Sequence, residues 1–224
     1  MPRKPKKIPQ IISEEDIQKI FHAIINEKRA YNGGKKIYYF RKFRNCMIFF
    51  LMYYLGLRPK ASYAIKIEHI DLERGTLFIP ASNNKQRNSD LIPLPEFVYN
   101  TLFRYIKKRN KLFEDSEWLF PSDHWRSKGH LDHSVVCKIF KDAARDTKLL
   151  NTSYVDAQGH KRANFTPYNL RHSFGSKAYE KTKDIKKTAF LLRQYDWQCR
   201  SALVYIHTTQ NKNRIDLFNE LYGE

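Results

Sequence analysis

The sequence predicts a mainly helical α+β fold with one small antiparallel sheet, in a chain of 224 residues. Hydrophobic residues make up 42% of the chain, which is enough for a core, and in most segments they recur at helical spacing. Two short strand-like runs, 76–79 and 90–92, flank a polar and basic loop typical of a hairpin. Strands and helices do not alternate, which argues against a doubly wound sheet.

The N-terminal part predicts two helices in succession. Ser13 is a helix-capping residue, and acidic side chains follow it before apolar residues recur every three or four positions. Gly33 and Gly34 interrupt this pattern. A second helix is predicted over 38–55, where nearly continuous apolar residues indicate burial, and Gly56 ends it. A short helical stretch to about residue 67 follows.

The C-terminal part predicts further helices over 95–110, 135–148, 167–181, 183–194 and 198–207. Thr166 is expected to cap the third of these, with Pro167 in its first turn, where a missing N–H costs nothing. Residues 150–164 are polar and predict a loop or a small hairpin. From Arg214 onward, apolar residues at helical spacing predict a short amphipathic helix.

Charge is the strongest compositional feature of the chain. Lysine and arginine number 41 against 23 acidic residues, a net charge of +18, which favours a polyanionic partner. Nucleic acid fits best, because neutralising phosphates releases counterions; a membrane surface is second, and a merely soluble basic protein is the remaining alternative. The longest apolar run, 46–57, is too short to span a bilayer, and the basic start lacks the apolar region of a secretory signal.

The sequence predicts neither a cofactor nor a metal site. Its three cysteines, Cys46, Cys137 and Cys199, lie far apart, without the spacing of a disulfide framework or a zinc site. No glycine-rich nucleotide-binding motif and no metal-binding pattern occurs. The absence of a disulfide pattern fits a reducing cytoplasm. The protein is expected there, either associated with the nucleoid or encoded by a virus or mobile element.

Three short segments carry residues suited to chemistry on phosphate. Arg58 closes the apolar helix, although a cation at a helix end also has a purely structural explanation. Tyr168, Arg171 and His172 fall in the first turns of a predicted helix, where an arginine, a phenol and a helix N-terminus make a phosphate site. The alternative there is an ordinary basic helix. Tyr205 ends a short helix and alone would be read as core.

Taken together, these segments resemble the tyrosine recombinases, also called the phage integrase family. The order Gly-Leu-Arg58, basic hairpin, Leu-Arg171-His172 and late Tyr205 matches that family over roughly 13–210. Softer landmarks agree: the turn before the first strand, Ile-Pro-Leu after the hairpin, and Trp-Leu-Phe-Pro at 118–121. The resemblance implies the fold of that family's catalytic domain and a DNA strand-transfer enzyme that needs neither metal nor ATP.

The resemblance also implies roles for single residues. Tyr205 matches the nucleophile that forms a 3′-phosphotyrosyl link, and Arg58 and Arg171 match the two arginines that bind the phosphate. Lys85 matches the hairpin lysine, which acts as general acid. Tyr168 stands where the family usually has histidine, lysine or tyrosine. Other basic residues are expected to contact DNA, namely Lys60, Arg87, His172 and His207.

Two positions depart from the family pattern. The acidic residue that usually follows the first arginine is Ala61, and the penultimate histidine or tryptophan is missing from its usual Leu-Gly context. Trp197 is assigned to that second role, with Gln194 as the alternative. These departures leave the two arginines in place but keep two rival functions open: a DNA-binding or regulatory module of the same fold, and a relaxing activity like that of type IB topoisomerases.

The domain organisation is predicted from the same resemblance. Residues 1–12 are expected to be a basic flexible tail, 13–210 a catalytic domain, and 211–224 a tail helix that packs either in cis or on a neighbouring copy. Arg58 comes too early for the helical core-binding domain that usually precedes this one, so the chain is expected to be a fragment or a reduced enzyme. The expected partners are double-stranded DNA and further copies, as a dimer or tetramer on DNA, with no membrane.

Overall fold

A computed structural model describes residues 11–27, 34–83, 88–122, 129–149, 153–155, 161–163, 166–194, 198–199 and 201–206. Its helices are α1 Glu14–Ile25, α2 Lys35–Tyr54, α3 Pro59–Tyr63, α4 Glu96–Asn110, α5 His133–Asp146, α6 Tyr168–Thr182 and α7 Ile185–Leu191. Its strands are β1 Ile70–Asp71, β2 Thr76–Ile79, β3 Asp90–Pro93, β4 Ser153–Val155 and β5 Lys161–Ala163. A single helical turn follows at 203–206. The predicted helical fold with a small antiparallel sheet is confirmed.

The main sheet has the order β1-β2-β3, and both strand pairs are antiparallel. The register pairs Ile79 with Asp90 and Thr76 with Pro93, so β2 and β3 form the expected hairpin. Strand β1 was not predicted, because two residues are too few to show an alternating pattern. Strands β4 and β5 form a second antiparallel pair, which resolves the choice between loop and hairpin.

Helix α2 forms the centre of the core, as its continuous apolar residues predict. Met47, Ile48, Phe49, Leu51 and Met52 are all at most 1% exposed. Helices α1, α4 and α6 each pack against α2, and α5 packs against α1. Because the loop that carries Arg58 follows directly from the end of α2, the core fixes where that loop begins.

Three buried polar side chains hold the loop before α5. Arg44 donates to the carbonyl of Pro121 at 2.6 Å, and Tyr105 donates to that of Leu119 at 2.8 Å. Arg109 donates to the carbonyl of Trp118 at 3.0 Å and also to the carbonyl of Ser116. A buried guanidinium needs several acceptors, and loop carbonyls supply them here. The landmark segment at 118–121 is therefore part of the core.

Two helix starts show how local prediction compares with structure. Ser13 caps α1 as expected, since its Oγ accepts from the amide of Asp16 at 3.1 Å. The predicted Thr166 cap of α6 is wrong, because no side chain caps the helix from that position. Instead, the Asn169 Oδ1 accepts from the Thr166 amide at 2.8 Å and from its hydroxyl at 3.1 Å. A side chain inside the first turn thus ties down the residue before the helix.

The boundary of the packed chain lies slightly earlier than predicted. Ile12, assigned to the flexible tail, is 3% exposed. Its amide donates to the Ser173 Oγ at 2.9 Å, and the same hydroxyl donates to its carbonyl at 3.2 Å. The tail assignment of Ile12 is therefore wrong. Within the described part of the chain, no helix has the length and apolar character needed to cross a membrane.

Candidate active site

Tyr205 lies in the helical turn at 203–206 and is 2% exposed. It belongs to a small apolar cluster that also contains Ala189, Leu192 and Ala202. Burial raises the pKa of its phenol to about 12, against the lowering effects of the nearby Arg171 and Arg58 charges. The phenol therefore stays protonated at neutral pH and needs an acceptor for its proton before it can act as a nucleophile.

Such an acceptor lies next to the phenol. The His172 Nδ1 is 3.2 Å from the Tyr205 Oη, and the two rings are 5.9 Å apart between centroids. Burial, together with the positive charge of Arg171, lowers the pKa of His172 to about 4. A neutral imidazole nitrogen can accept a hydrogen bond from a phenol. His172 was predicted to contact DNA, and that role stays a prediction beside this contact with Tyr205.

Arg171 points into the protein rather than out from the helix N-terminus. It is 1% exposed and donates through Nη1 to the Gly56 carbonyl and through Nη2 to the Leu192 carbonyl. Its Nε is buried and has no hydrogen-bond partner in the described part of the chain. Burial, then the charges of Arg58 and Arg193, lower the pKa of its guanidinium to about 9.

Arg58 enters this site on the loop after α2. Gly56 takes a φ of +59°, and a β-carbon there would lie 2.4 Å from the ring of Phe174, so glycine is required on both counts. Arg58 then occupies the residue before α3, whose first turn begins with Pro59. A small cavity links the loop to α6, and its lining residues are Leu57, Arg58, Ala61, Ile79, Asn83, Arg171 and Arg193. Arg58 and Arg171 therefore line one cavity, and both lie close enough to the Tyr205 phenol to influence its pKa.

Arg193 is the site residue that the sequence analysis missed. It is 8% exposed and donates through Nη2 to the carbonyls of Leu55 at 2.7 Å and Gly56 at 2.9 Å. Its φ of 53° lies in the left-handed region, which costs an ordinary residue about 1–2 kcal/mol. The sequence contains one indication of this residue: Arg193 lies where the family pattern has its Leu-Gly. Glycine is the residue usually found at a helix end of this kind.

Tyr168 lies at the outer edge of the site. It is 40% exposed, and its ring packs edge-on against His172 with centroids 4.9 Å apart. It is close enough to Arg171 and Tyr205 to influence the pKa of each. An exposed phenol in this position can donate one hydrogen bond to a DNA phosphate, as predicted, but it adds no positive charge.

Two further predicted positions flank the first arginine. Lys60 is exposed, and its Nζ donates to the carbonyl of Ser82 at 3.4 Å, so it reaches toward the hairpin. Ala61 is 6% exposed and lines the small cavity, where an acidic residue was noted as missing. No carboxylate therefore occupies that position beside the two arginines.

Four predicted residues, Lys85, Arg87, Trp197 and His207, lie outside the described residues. Gln194, the alternative to Trp197, is 9% exposed, and its Oε1 has no hydrogen-bond partner among the residues that the structure describes. In the same part of the chain, no cluster of three or more histidine, cysteine or acidic side chains could hold a metal ion. The cysteines Cys46, Cys137 and Cys199 are free thiols.

Known proteins resemble this chain in sequence and in structure. Tyrosine recombinase XerA of Pyrococcus furiosus is 26% identical over 99% of this chain and 67% of its own length. Tyrosine recombinase XerC of Halalkalibacterium halodurans is 27% identical over 95% of this chain and 62% of its own length. The crystal structure of XerA recombinase matches 95% of this chain and 69% of that chain, with a TM-score of 0.65 at 17% identity.

The XerH site-specific recombinase matches 97% of this chain and 54% of that chain, with a TM-score of 0.67 at 19% identity. At identities this low, the solved structures show similarity of fold alone. The chain spans roughly half to two thirds of the length of these relatives. The profile described as "Phage integrase family" matches residues 10–212, which is most of the chain. The chain therefore belongs to the phage integrase family and has the fold of a tyrosine recombinase catalytic domain.

Proposed function

We propose that this chain is the catalytic domain of a site-specific DNA recombinase, which cleaves and rejoins strands through a 3′-phosphotyrosyl intermediate. The observation that carries this proposal is the convergence of Tyr205, Arg58 and Arg171. Both arginines act electrostatically on the phenol, and Arg58 acts on Arg171. Two planar, charged forks beside a nucleophile suit the nonbridging oxygens of a phosphodiester, where negative charge grows in the transition state.

The reaction is a transesterification. The Tyr205 Oη bonds to the phosphorus of a DNA strand, the bond from phosphorus to the 5′ oxygen breaks, and the phenol proton is lost. Lys85 supplies a proton to the leaving 5′ oxygen. A 5′-hydroxyl from a partner strand then reverses both steps and frees Tyr205. The covalent link keeps the energy of the phosphodiester, so the cycle consumes no nucleotide.

His172 is the group we assign to receive the phenol proton. Its Nδ1 already lies 3.2 Å from the Tyr205 Oη, within reach for general-base transfer. Its lowered pKa keeps the imidazole neutral and able to accept at physiological pH. An anionic phosphate bound beside it would raise its proton affinity, so the base strengthens when DNA is in place.

Arg171 must turn toward the DNA in this scheme. Its guanidinium now donates to the carbonyls of Gly56 and Leu192, which are neutral acceptors. A phosphate carries negative charge and can accept two parallel hydrogen bonds from one guanidinium, which separate neutral carbonyls cannot offer. The phosphate oxygens therefore replace one or both carbonyls when the scissile strand binds.

Double-stranded DNA is the proposed substrate, acted on in the cytoplasm of the host cell. The XerH recombinase was crystallised with its difH substrate, and the Tn1549 transposon integrase with transposon end DNA. Lys60, Arg87 and His207 are proposed phosphate contacts, and Trp197 a further donor at the site. Strand exchange requires more than one copy, so we propose a dimer or tetramer on DNA. The tail 211–224, for which packing in cis or on a neighbouring copy was left open, lies outside the described residues.

A suicide DNA substrate tests the proposal. A nick close to the cleavage site lets the short 5′-hydroxyl fragment diffuse away, so the phosphotyrosyl adduct accumulates and is seen as a shifted band on a denaturing gel. Since the target sequence is unknown, a library of nicked duplexes is used, and adducts are recovered and sequenced. We expect an adduct with the unaltered chain and none with Tyr205→Phe.

Other results would favour the rival functions. DNA binding without any adduct across the library would favour a binding or regulatory module. Tyr168 and the absence of the usual penultimate histidine motivate that alternative. Relaxation of a supercoiled plasmid without sequence preference would favour an activity like that of type IB topoisomerases. Tyr205→Phe must abolish that relaxation too, since both reactions use the same nucleophile.

A further inference from the structure

Arg193 is a buried arginine to which the reaction above assigns no role. It follows α7 in the left-handed conformation, where its amide donates to the Phe190 carbonyl and the next amide donates to the Ala189 carbonyl, each at 2.8 Å. Helices commonly end in this way, and glycine is the residue usually found at this position. The backbone therefore disfavours arginine here, and its side chain must supply the compensating interactions.

The Arg193 side chain connects separate parts of the site. Its Nη2 donates to the carbonyls of Leu55 and Gly56, on the loop that leads into Arg58. Its Nε lies 3.6 Å from the Oδ2 of Asp90, the first residue of β3. Arg193 itself stands between α7 and the turn that holds Tyr205. One guanidinium thus joins the loop before Arg58, the hairpin strand and the segment before the nucleophile.

The Gly56 carbonyl is the point where Arg193 and Arg171 meet. It accepts hydrogen bonds from both guanidinium groups, through the Nη1 of Arg171 and the Nη2 of Arg193. When Arg171 turns to a phosphate and exchanges its Gly56 acceptor for a phosphate oxygen, its hydrogen bond to Gly56 is lost. Arg193 then still satisfies this buried carbonyl, which would otherwise be costly to leave unpaired.

Arg193 differs from a third phosphate-binding arginine because its charge lies beside a carboxylate. Asp90 lies within ion-pair distance, and both side chains are largely buried, at 10% and 18% exposure for Arg193 and Asp90. A carboxylate in this position offsets the repulsion that Arg193 exerts on Arg171. It also holds the Arg193 fork toward β3.

We propose that Arg193 is a positioning residue for strand cleavage. It ties the 55–58 loop to β3 through Asp90 and keeps Arg58 in register with Arg171 when Arg171 engages the scissile phosphate. This inference rests on the proposed function, because it assumes that both arginines bind one phosphate. It adds a residue at the position where the family pattern has a glycine.

The decisive variant is Arg193→Gly, tested on a nicked substrate that the unaltered full chain cleaves. Glycine relieves the strained φ but also removes buried side-chain contacts, so the two effects on thermal stability oppose each other, and the thermal unfolding midpoint is measured beside the cleavage rate. At saturating DNA, we expect the single-turnover rate of adduct formation to fall by about 100-fold, the typical effect of a small misplacement of catalytic groups. The DNA dissociation constant is expected to stay within about threefold.

Lys183→Gly is the matched control. Lys183 also follows a helix with a positive φ, at 51°, but its side chain is exposed. Glycine there relieves the same strain without removing a buried contact, so stability should stay equal or rise while the cleavage rate stays unchanged. Arg193→Lys keeps the positive charge but cannot reach both carbonyls and Asp90 together, so we expect it to cleave slowly, as the glycine variant does.

Asp90→Asn provides a second, independent test, because it removes the charge that holds Arg193 and alters the shape of the side chain little. We expect slower cleavage with unchanged DNA affinity. Cleavage by Arg193→Gly at the rate of the unaltered chain would overturn the inference, and so would a fall in DNA affinity that accounts for the whole rate loss. If Arg193→Gly fails to fold, a normal rate for Asp90→Asn overturns it. No adduct from the unaltered chain would refute the proposed function instead.

Discussion

The ring of Tyr205 lies directly on the backbone of Gly175, where a β-carbon would come within 2.5 Å of the ring. Gly175 sits inside α6, on the same helix as Arg171 and His172. One helix therefore supplies an arginine, a proton acceptor and the surface on which the proposed nucleophile packs. The position of the phenol relative to Arg171 depends on how closely the turn at 203–206 approaches this helix.

Gly175→Ala is expected to displace the Tyr205 ring. The added methyl group collides with ring carbons, and relieving that collision costs about 1–3 kcal/mol and moves the phenol. A small displacement of a nucleophile lowers the rate by about 100-fold, measured as adduct formation on the nicked substrate. Gly34→Ala is the control, since a β-carbon there meets nothing within 4 Å. Normal cleavage by Gly175→Ala would contradict this account of the site.

Arg171→Lys is expected to lower the cleavage rate by at least about 100-fold, because lysine keeps a charge but loses the planar fork that stabilises the transition state. DNA affinity should change little, since one contact among many is altered. Rates and dissociation constants on one duplex separate the two effects. Arg74→Lys is the control, as its side chain is 83% exposed and lies in the turn after β1. Equal losses in affinity and rate would count against the assigned role.

His172 is expected to make stability depend on pH. Its pKa is lowered from 6.5 to about 4 in the folded chain, so the unfolded chain binds more protons between these values. Stability is then present above about pH 6.5 and is lost as pH falls toward 4, by an amount on the order of 3 kcal/mol. Urea unfolding at pH 7 and at about pH 4.5 should show that His172→Phe loses less stability than the unaltered chain.

The control for that experiment is His22→Gln, on the exposed side of α1, which should leave the pH dependence of the unaltered chain in place. Identical losses of stability in the unaltered chain and in His172→Phe would show that His172 does not titrate in this way. The same variant also bears on chemistry. If His172 accepts the phenol proton, His172→Phe lowers the rate of adduct formation by about 100-fold or more.

DNA binding is expected to weaken steeply with salt. If about eight phosphates are contacted, the logarithm of the association constant falls with the logarithm of the salt concentration at a slope of about −7. Lys60→Ala should reduce that slope by about 1, because it removes one phosphate contact. Lys66→Ala is the control, since its Nζ is 2.7 Å from a Glu117 carboxylate oxygen and is already paired. An unchanged slope for Lys60→Ala would remove Lys60 from the DNA-binding surface.

The sequence alone determined helices α1 to α7, the β2–β3 hairpin and the order of the candidate residues along the chain. These features are local: apolar periodicity, capping residues and short motifs repeat within a few residues and can be read without knowing what packs against them. Arg58, Arg171 and Tyr205 were assigned through the resemblance to the tyrosine recombinases, which rests on the order of these motifs along the chain, and the structure brings them together.

The predicted Thr166 cap was wrong because the Thr166 hydroxyl donates to the Asn169 Oδ1 instead of accepting from a helix amide, which periodicity does not reveal. The helix predicted over 198–207 is wrong in its extent, since among the described residues of that range only 203–206 form a helical turn and Cys199 has a φ of 51°.

Only the tertiary structure decided how these residues act on one another. Arg171 contacts Gly56, and Arg193 contacts Leu55 and Gly56, across more than a hundred residues of chain. The packing of Tyr205 on Gly175 and its hydrogen bond to His172 likewise depend on how helices pack. The Arg171 side chain points into the protein because its hydrogen-bond acceptors are carbonyls on two other segments. Residue types and spacing carry no information about such distant contacts, because these contacts form only when separate helices and strands pack around one core.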